Sequence, residues 1–136
     1  MRKQLIELLV IVNHESGGKL IRTNIESYVD RIWKNATIIA INKNRQLQGF
    51  IAYYDNDIKK EFAYLTMIAI RKENENSGYG KMLMELSIKE IEKLGFKKYG
   101  LEVYHENAKA IRLYEKYGFV EIKRNSESLF MEKRFE

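Results

Sequence analysis

Gly78-Tyr79-Gly80-Lys81 stands where an apolar, β-branched run gives way to helical periodicity. A helix that starts there presents unpaired backbone N–H groups and the positive end of its macrodipole. Glycines at the start permit unusual backbone angles and leave no Cβ in the path of an incoming anion. The chemistry this suits is the binding of a phosphate or pyrophosphate. Alone, a Gly-x-Gly pair at a strand–helix junction is more often a tight turn. The dinucleotide fingerprint fails, because Leu83 occupies its third glycine position, and Met82 after Gly80-Lys81 breaks the Walker pattern.

Composition removes several other chemistries. The 136 residues include no cysteine and two histidines, His14 and His105. Disulfides, thiolate metal sites and a cysteine nucleophile are excluded, and a histidine-centred metal site is not expected. The net charge is +5, with 24 basic and 19 acidic side chains spread over both halves of the chain. Nucleic-acid binders concentrate positive charge on a stripe or tail, so the excess fits an anionic small ligand better and no nucleic-acid partner is expected. No apolar run approaches the ~20 residues of a membrane span. The start, Met1-Arg2-Lys3-Gln4, lacks a small-residue cleavage site. The expectation is a cytoplasmic protein with no membrane partner.

The elements that must position this chemistry follow from the patterning. Leu5, Leu8, Leu9 and Val12 have helical spacing, although the run from Leu8 to Val12 also suits a buried strand; helix is preferred, ended by Gly17-Gly18. Asn24 caps a second helix with Ile25, Tyr28, Val29 and Ile32 on one face. Segments 37–41, 49–54 and 61–70 are strands of an antiparallel meander. After Gly78 a helix carries Met84, Ile88, Ile91 and Leu94 as its apolar stripe. A short strand follows over 99–104, then a helix capped by Asn107, then a strand pair over 119–123 and 128–133. The order α-α-β-β-β-α-β-α-β-β predicts one α/β domain over 1–136: a mixed, mostly antiparallel sheet flanked by helices.

Two segments together, Glu75-Asn76-Ser77-Gly78-Tyr79-Gly80 and the stretch from Leu101 to Phe119 with Asn107, Ala110, Leu113-Tyr114 and Gly118-Phe119, resemble the GCN5-related N-acetyltransferase (GNAT) superfamily in order and spacing. The resemblance spans roughly residues 37 to 123. It implies an enzyme that moves an acetyl group from acetyl-CoA directly to a primary amine, with no metal. By resemblance, backbone groups of Ile68, Ala69 and Ile70 hold the pantetheine arm. The N–H groups of Ser77, Gly78, Tyr79, Gly80 and Lys81 meet the pyrophosphate. Asn107 combines a helix cap with a pantetheine contact.

Transfer to an amine needs a donor to the departing sulfur and an acceptor for the ammonium proton. The family's Leu-Tyr motif makes Tyr114 the acid, since a phenol with a pKa of about 10 is protonated at neutral pH. On spacing alone Tyr114, one of nine tyrosines, packs a core and shares a face with Ala110 and Tyr117. Glu102 alternates with Leu101 and Val103 and precedes Tyr114 by 12 residues. That pairing resembles the ribosomal-protein N-terminal acetyltransferases, where Glu is the base. An exposed strand carboxylate, or a base acting through water, are the alternatives, with Glu61 and His105 as lesser candidates. The sequence departs from the family at Glu75, where Arg or Gln is usual, and at Lys72, where proline is common. A carboxylate beside a pyrophosphate must point away or be offset, here by Lys81 or Arg71.

The acceptor side carries the least family signal. A helix-first start resembles short acetyltransferases of surface-sugar biosynthesis, so the expected partner is a small-molecule amine such as an amino sugar. A protein or peptide N-terminus is the alternative within the family, and a non-catalytic CoA-binding module is the alternative outside it. Tyr28, Trp33, Tyr53 and Tyr54 are candidates to line the acceptor pocket, with core packing as their other role. Family members often pair through sheet edges, so a homodimer is a further expectation.

Overall fold

The computed structural model describes residues 1–18 and 20–135. Two helices, α1 (Arg2–Glu15) and α2 (Ile25–Asn35), precede the strands β1 (Thr37–Lys43), β2 (Gln46–Tyr54) and β3 (Phe62–Ile70). Helix α3 (Tyr79–Lys93), strand β4 (Lys98–Tyr104), helix α4 (Ala108–Lys116), and strands β5 (Val120–Arg124) and β6 (Ser128–Arg134) complete the chain. The expected element order holds. Asn24 caps α2 by accepting from the Ser27 N–H at 2.8 Å, and Asn107 caps α4 by accepting from the Ala110 N–H at 3.2 Å.

One six-stranded sheet runs β1-β2-β3-β4-β6-β5. Every neighbouring pair is antiparallel except β3 and β4. That parallel pairing is short, from Phe62 opposite Lys98 to Leu65 opposite Leu101. Beyond it the two strands part company: β3 continues to Ile70 on β2 alone, and β4 to Tyr104 on β6 alone. A wedge therefore opens in the middle of the sheet, at the C-terminal ends of its one parallel pair.

A bulge helps to build the wedge. Ala52 pairs with Met67 and Tyr53 with Leu65, so Thr66 is the extra residue on β3. Before it, Ala63 and Leu65 join the core that also holds Leu83, Met84, Ile91 and Tyr114 of α3 and α4. After it, Met67 and Ala69 join the core of α1 and α2, with Leu5, Leu8, Val29 and Ile32. The extra residue thus swaps the faces of the strand. Tyr28 of α2 meets the irregularity, its hydroxyl donating to the Thr66 carbonyl at 3.1 Å with the Thr66 hydroxyl 2.7 Å away.

One expected detail changes. The buried stripe of α3 is Leu83, Met84, Ser87 and Ile91, and Leu94 is exposed. Ser87 belongs to the stripe because its hydroxyl is satisfied inside the core, donating to the Met84 carbonyl and accepting from Tyr99 at 3.1 Å.

Candidate active site

The loop after β3 is fastened before it reaches the glycines. The Arg71 N–H donates to the Gln48 carbonyl at 2.9 Å and its Nε to the Leu47 carbonyl at 2.7 Å. A single 3-10 turn, Lys72–Asn74, follows. The Asn74 amide donates to the side-chain oxygen of buried Gln48, which is held in turn by the Gln46 carbonyl. Gly78 then takes φ +82° as the N-cap of α3, a backbone region that L side chains rarely adopt. No side chain caps this helix and no acid lies in its first turn. Among the described residues the N–H groups of Gly78, Tyr79, Gly80 and Lys81 have no hydrogen-bond partner. A Cβ placed on Gly78 or Gly80 would meet nothing within 4 Å. The N–H donors are unpaired and the space beside Gly78 and Gly80 is open, which fits a diphosphate. Ser77 differs from the expectation: its N–H and its hydroxyl both donate to the Asn74 carbonyl, at 3.2 and 2.5 Å, so of the five expected donors the four from Gly78 to Lys81 are free.

Glu75 is offset, but not by the expected partners. Its carboxylate accepts from Lys109 Nζ of α4 at 3.0 Å. Arg71 is spent on the Leu47 carbonyl, and Lys81 forms no ion pair among the described residues. The pair joins the loop before α3 to the first turn of α4, one on each side of the wedge.

Tyr114 lies on the α3–α4 face of the sheet, 6 % exposed, with the Phe119 ring 6.0 Å away. Its hydroxyl has no hydrogen-bond partner among the described residues. Burial pushes the phenol well above the ordinary tyrosine range, and the nearby Tyr64 phenol adds to the rise. It therefore holds its proton at every physiological pH.

Glu102 faces the other way. It is exposed, while Leu101 and Val103 on either side are buried. Its Oε2 accepts from the hydroxyl of buried Ser128 on β6 at 2.7 Å. Ser128 is itself fixed by the Asn125 side chain, which accepts from its N–H at 2.9 Å. Tyr64 lies between the two candidates: burial raises its phenol first, then the Glu102 carboxylate, and the same phenol is felt by Tyr114. Glu102 sits where two clefts meet. One of about 610 Å³ is lined by Tyr28, Tyr64, Thr66, Glu127 and Ser128 among others. The second, about 490 Å³, runs past Tyr64 toward Lys123, Arg124 and Phe130. Arg22 closes the far side of the first, contacting Glu127 at 3.1 Å and Glu106 at 3.3 Å, with its guanidinium 4.0 Å from the centre of the Tyr104 ring.

A family model for the acetyltransferase (GNAT) family matches residues 10–119. The chain belongs to that family. Among curated relatives it is similar to the [ribosomal protein bS18]-alanine N-acetyltransferase of Escherichia coli strain K12, 45% identical over 65 residues. That match covers 46% of this chain and 44% of the relative, less than half of either. Among solved structures it is similar to the ribosomal-protein-S18-alanine N-acetyltransferase from Escherichia coli, with a TM-score of 0.72 and 25% identity over 82% of this chain and 77% of that one. It is also similar to the PaiA N-acetyltransferase from Thermoplasma acidophilum, solved in complex with coenzyme A, with a TM-score of 0.80 over 98% and 92% of the two chains. At 21% identity the second likeness is one of fold.

Within this GNAT chain the anticipated residues fall into two groups. Gly78, Tyr79, Gly80 and Lys81 converge on the start of α3, and Ile68, Ala69 and Ile70 form the end of β3 that β4 leaves unpaired. Asn107 keeps its cap. Tyr114 and Glu102 occupy opposite faces of the sheet beside the wedge. Of the lesser bases, Glu61 is paired with Lys97 at the opposite end of β3, and His105 Nε2 sits 2.9 Å from the Asn125 carbonyl. Of the proposed acceptor aromatics, Tyr28 lines one of these two clefts. Tyr53 is fully buried against Tyr99, and Trp33 is exposed on α2. Residues of the site that the sequence did not mark include Tyr64, Thr66 and Ser128. Their only mark in the sequence is β-strand alternation, which many residues share. Among the described residues no helix is long and apolar enough to cross a membrane, and no group of acidic or histidine side chains could hold a metal.

Proposed function

We propose that this chain is an acetyl-CoA-dependent N-acetyltransferase acting on the primary amine of a small molecule. The observation that carries the reading is the wedge: β3 and β4 separate after Leu65 and Leu101, with unpaired helix-start donors at one end and Glu102 at the other. Bound there, acetyl-CoA supplies the acetyl thioester. The N–H groups of Gly78, Tyr79, Gly80 and Lys81 hold the diphosphate, and the free edge of β3 at Ile68, Ala69 and Ile70 pairs with the amide-bearing pantetheine arm as an added strand would. The side-chain NH2 of Asn107, left over from capping, is free to donate to the same arm.

Glu102, held by Ser128, takes a proton from the incoming ammonium, so that a neutral nitrogen attacks the thioester carbonyl. As the carbon–sulfur bond breaks, the Tyr114 hydroxyl gives its proton to the sulfur. Burial keeps the proton on Tyr114 through neutral pH, so the protonated hydroxyl is the form that faces a developing thiolate. With no cysteine in the chain, direct transfer needs no acetyl-enzyme.

The size of the clefts, about 610 and 490 Å³, supports a small acceptor. A peptide N-terminus is the second reading, favoured by the relative that acetylates the alanine of a ribosomal protein. A panel of amines, amino sugars and peptides, read by release of free CoA, tests both. The absence of protein thiols leaves that readout without background. Turnover confined to peptides would replace the small-molecule reading, and no heat of acetyl-CoA binding at millimolar ligand would overturn the assignment itself.

A further inference from the structure

Helices α1 and α2 pack on β1, β2 and β3, and their core takes no residue from β4, β5 or β6. On that face no helix covers β4, β5 or β6, although Arg22 of the α1–α2 connection reaches Tyr104, and the side chains there are unusual for a solvated surface. Phe62 of β3 and Phe130 of β6 flank Gly100 of β4. A Cβ on Gly100 would lie 2.5 Å from Phe62 Cζ and 2.8 Å from Phe130 Cζ, so both ring tips lean over the glycine into the space a side chain would fill. Their planes are 17° apart with centroids at 6.0 Å, and Tyr64 continues the row at 6.4 Å and 26°. All three rings are only half-buried.

This aromatic shelf has charged ends of opposite sign. Glu102 is the register partner of Phe130 and lines the same cleft. Lys123 is the register partner of Phe130 on its other side, with Nζ 5.8 Å from the ring centre. Glu121 answers Arg124 at the edge, whereas no carboxylate pairs with Lys123 among the described residues. Glu102, Phe130, Tyr64 and Lys123 thus line one cleft of about 490 Å³.

We propose that this shelf binds the acceptor, and that the acceptor is a primary amine carried on a flat ring that also bears an anionic substituent. Its ring lies on Phe130, Phe62 and Tyr64, its ammonium meets Glu102, and its anion meets Lys123. Near-parallel aromatic faces favour a flat ring over an open chain, because a rigid ring covers them with little entropy to lose. Opposite charges at the two ends fix its direction. The inference rests on the reading of Glu102 as the base.

The test is a matched set of four amines: para-aminomethylbenzoate, benzylamine, aminocaproate and hexylamine. Turnover is followed by CoA release, and binding to the CoA-saturated protein by calorimetry. The ring compounds should exceed their open-chain partners by about tenfold in kcat/KM or affinity, the scale of a good ring contact. Phe130→Leu, which keeps an apolar side chain but loses the flat face, should collapse that ratio. Lys123→Gln should lower para-aminomethylbenzoate relative to benzylamine by about threefold, as expected for an exposed charge pair. An equal loss for ring and chain amines in Phe130→Leu would make the phenylalanine merely structural and overturn the proposal. So would the absence of any ring preference or of ring-amine binding at millimolar concentration, or a dimer in sedimentation that Phe130→Leu dissolves. Acetyl-CoA binding, measured separately, distinguishes failure of the shelf from failure of the transferase reading.

Discussion

The two sides of the wedge are made differently. On the cofactor side the chemistry comes from one stretch of chain: the end of β3, a pinned turn, and the bare amides of Gly78, Tyr79, Gly80 and Lys81 follow each other in sequence. On the proposed acceptor side the cleft residues Tyr28, Tyr64, Glu102, Lys123, Ser128 and Phe130 arrive from α2, β3, β4, β5 and β6. In the proposed reading the first side would bind through backbone, which any sequence with the right turn can supply, and the second through side chains, which must be brought together by the whole sheet. A family can therefore hold its donor fixed while its acceptor varies, since strand residues facing a bare surface change without disturbing the helix start.

The sharpest break between the sides should come at Tyr114. Its hydroxyl has no protein partner to lose, so Tyr114→Phe should leave the fold intact and acetyl-CoA affinity within about twofold. The rate constant kcat should fall by about a hundredfold or more, the range of a lost general acid. Because the phenol is raised above its ordinary value, the rate supported by its proton is fully present through neutral pH. It declines only on the alkaline side of the usual tyrosine pKa of about 10. A kcat that survives the substitution would hand sulfur protonation to water. Next in size is Gly80→Asp. A Cβ there meets nothing, and a carboxylate in the first turn of α3 complements the macrodipole, so stability should rise by about 0.3–1 kcal/mol. The same charge faces the diphosphate, and calorimetry should find acetyl-CoA affinity reduced at least tenfold. Opposite signs for folding and binding would locate the cradle; matching signs would dissolve it.

The same division governs what the sequence discloses. The cradle and the caps of Asn24 and Asn107 are local, so their residue types and spacing state the structure directly. The element order was legible for the same reason, each helix and strand carrying its own period. The Thr66 bulge was not, because an extra residue in a strand shows only against its partner: Tyr53 opposite Leu65 and Ala52 opposite Met67. Without the bulge, strict alternation places Met67 and Ala69 under the wrong helices. Ser128 and Tyr64 join Glu102 through sheet pairing between distant segments, and no single-chain pattern records such pairing. Lys109 carries no such mark either, since its partner Glu75 lies 34 residues away.

Gly100 tests the acceptor side alone. It contributes no side chain, only space, which the tips of Phe62 and Phe130 occupy. Gly100→Ala forces those tips outward by swinging two side chains and leaves the strand backbone in place. Turnover of ring amines should fall several-fold, with acetyl-CoA affinity changing little because the cradle lies at the end of β3 and the start of α3. A parallel loss of both would mean that the shelf and the wedge are mechanically one unit, and the comparison between the sides would fail.

The smallest effect is expected where the sides touch, at Glu75. Its ion pair with Lys109 is exposed, with side chains 44% and 68% accessible, so it adds little to stability. Its position matters more than its strength, because it ties a carboxylate next to the proposed diphosphate cradle to a lysine on the opposite wall of the wedge. Glu75→Gln removes a repulsion and frees Lys109 for the phosphates, and acetyl-CoA should bind about twofold to threefold more tightly at low salt. Lys109→Ala should weaken it by a similar factor. The double variant is decisive. If Lys109 only neutralises Glu75, the double variant binds as tightly as Glu75→Gln; if Lys109 also reaches the phosphates, it binds more weakly than Glu75→Gln. The second outcome is expected, since a flexible lysine this exposed loses little by exchanging one anion for another. Glu75 then keeps that lysine in place until the cofactor arrives.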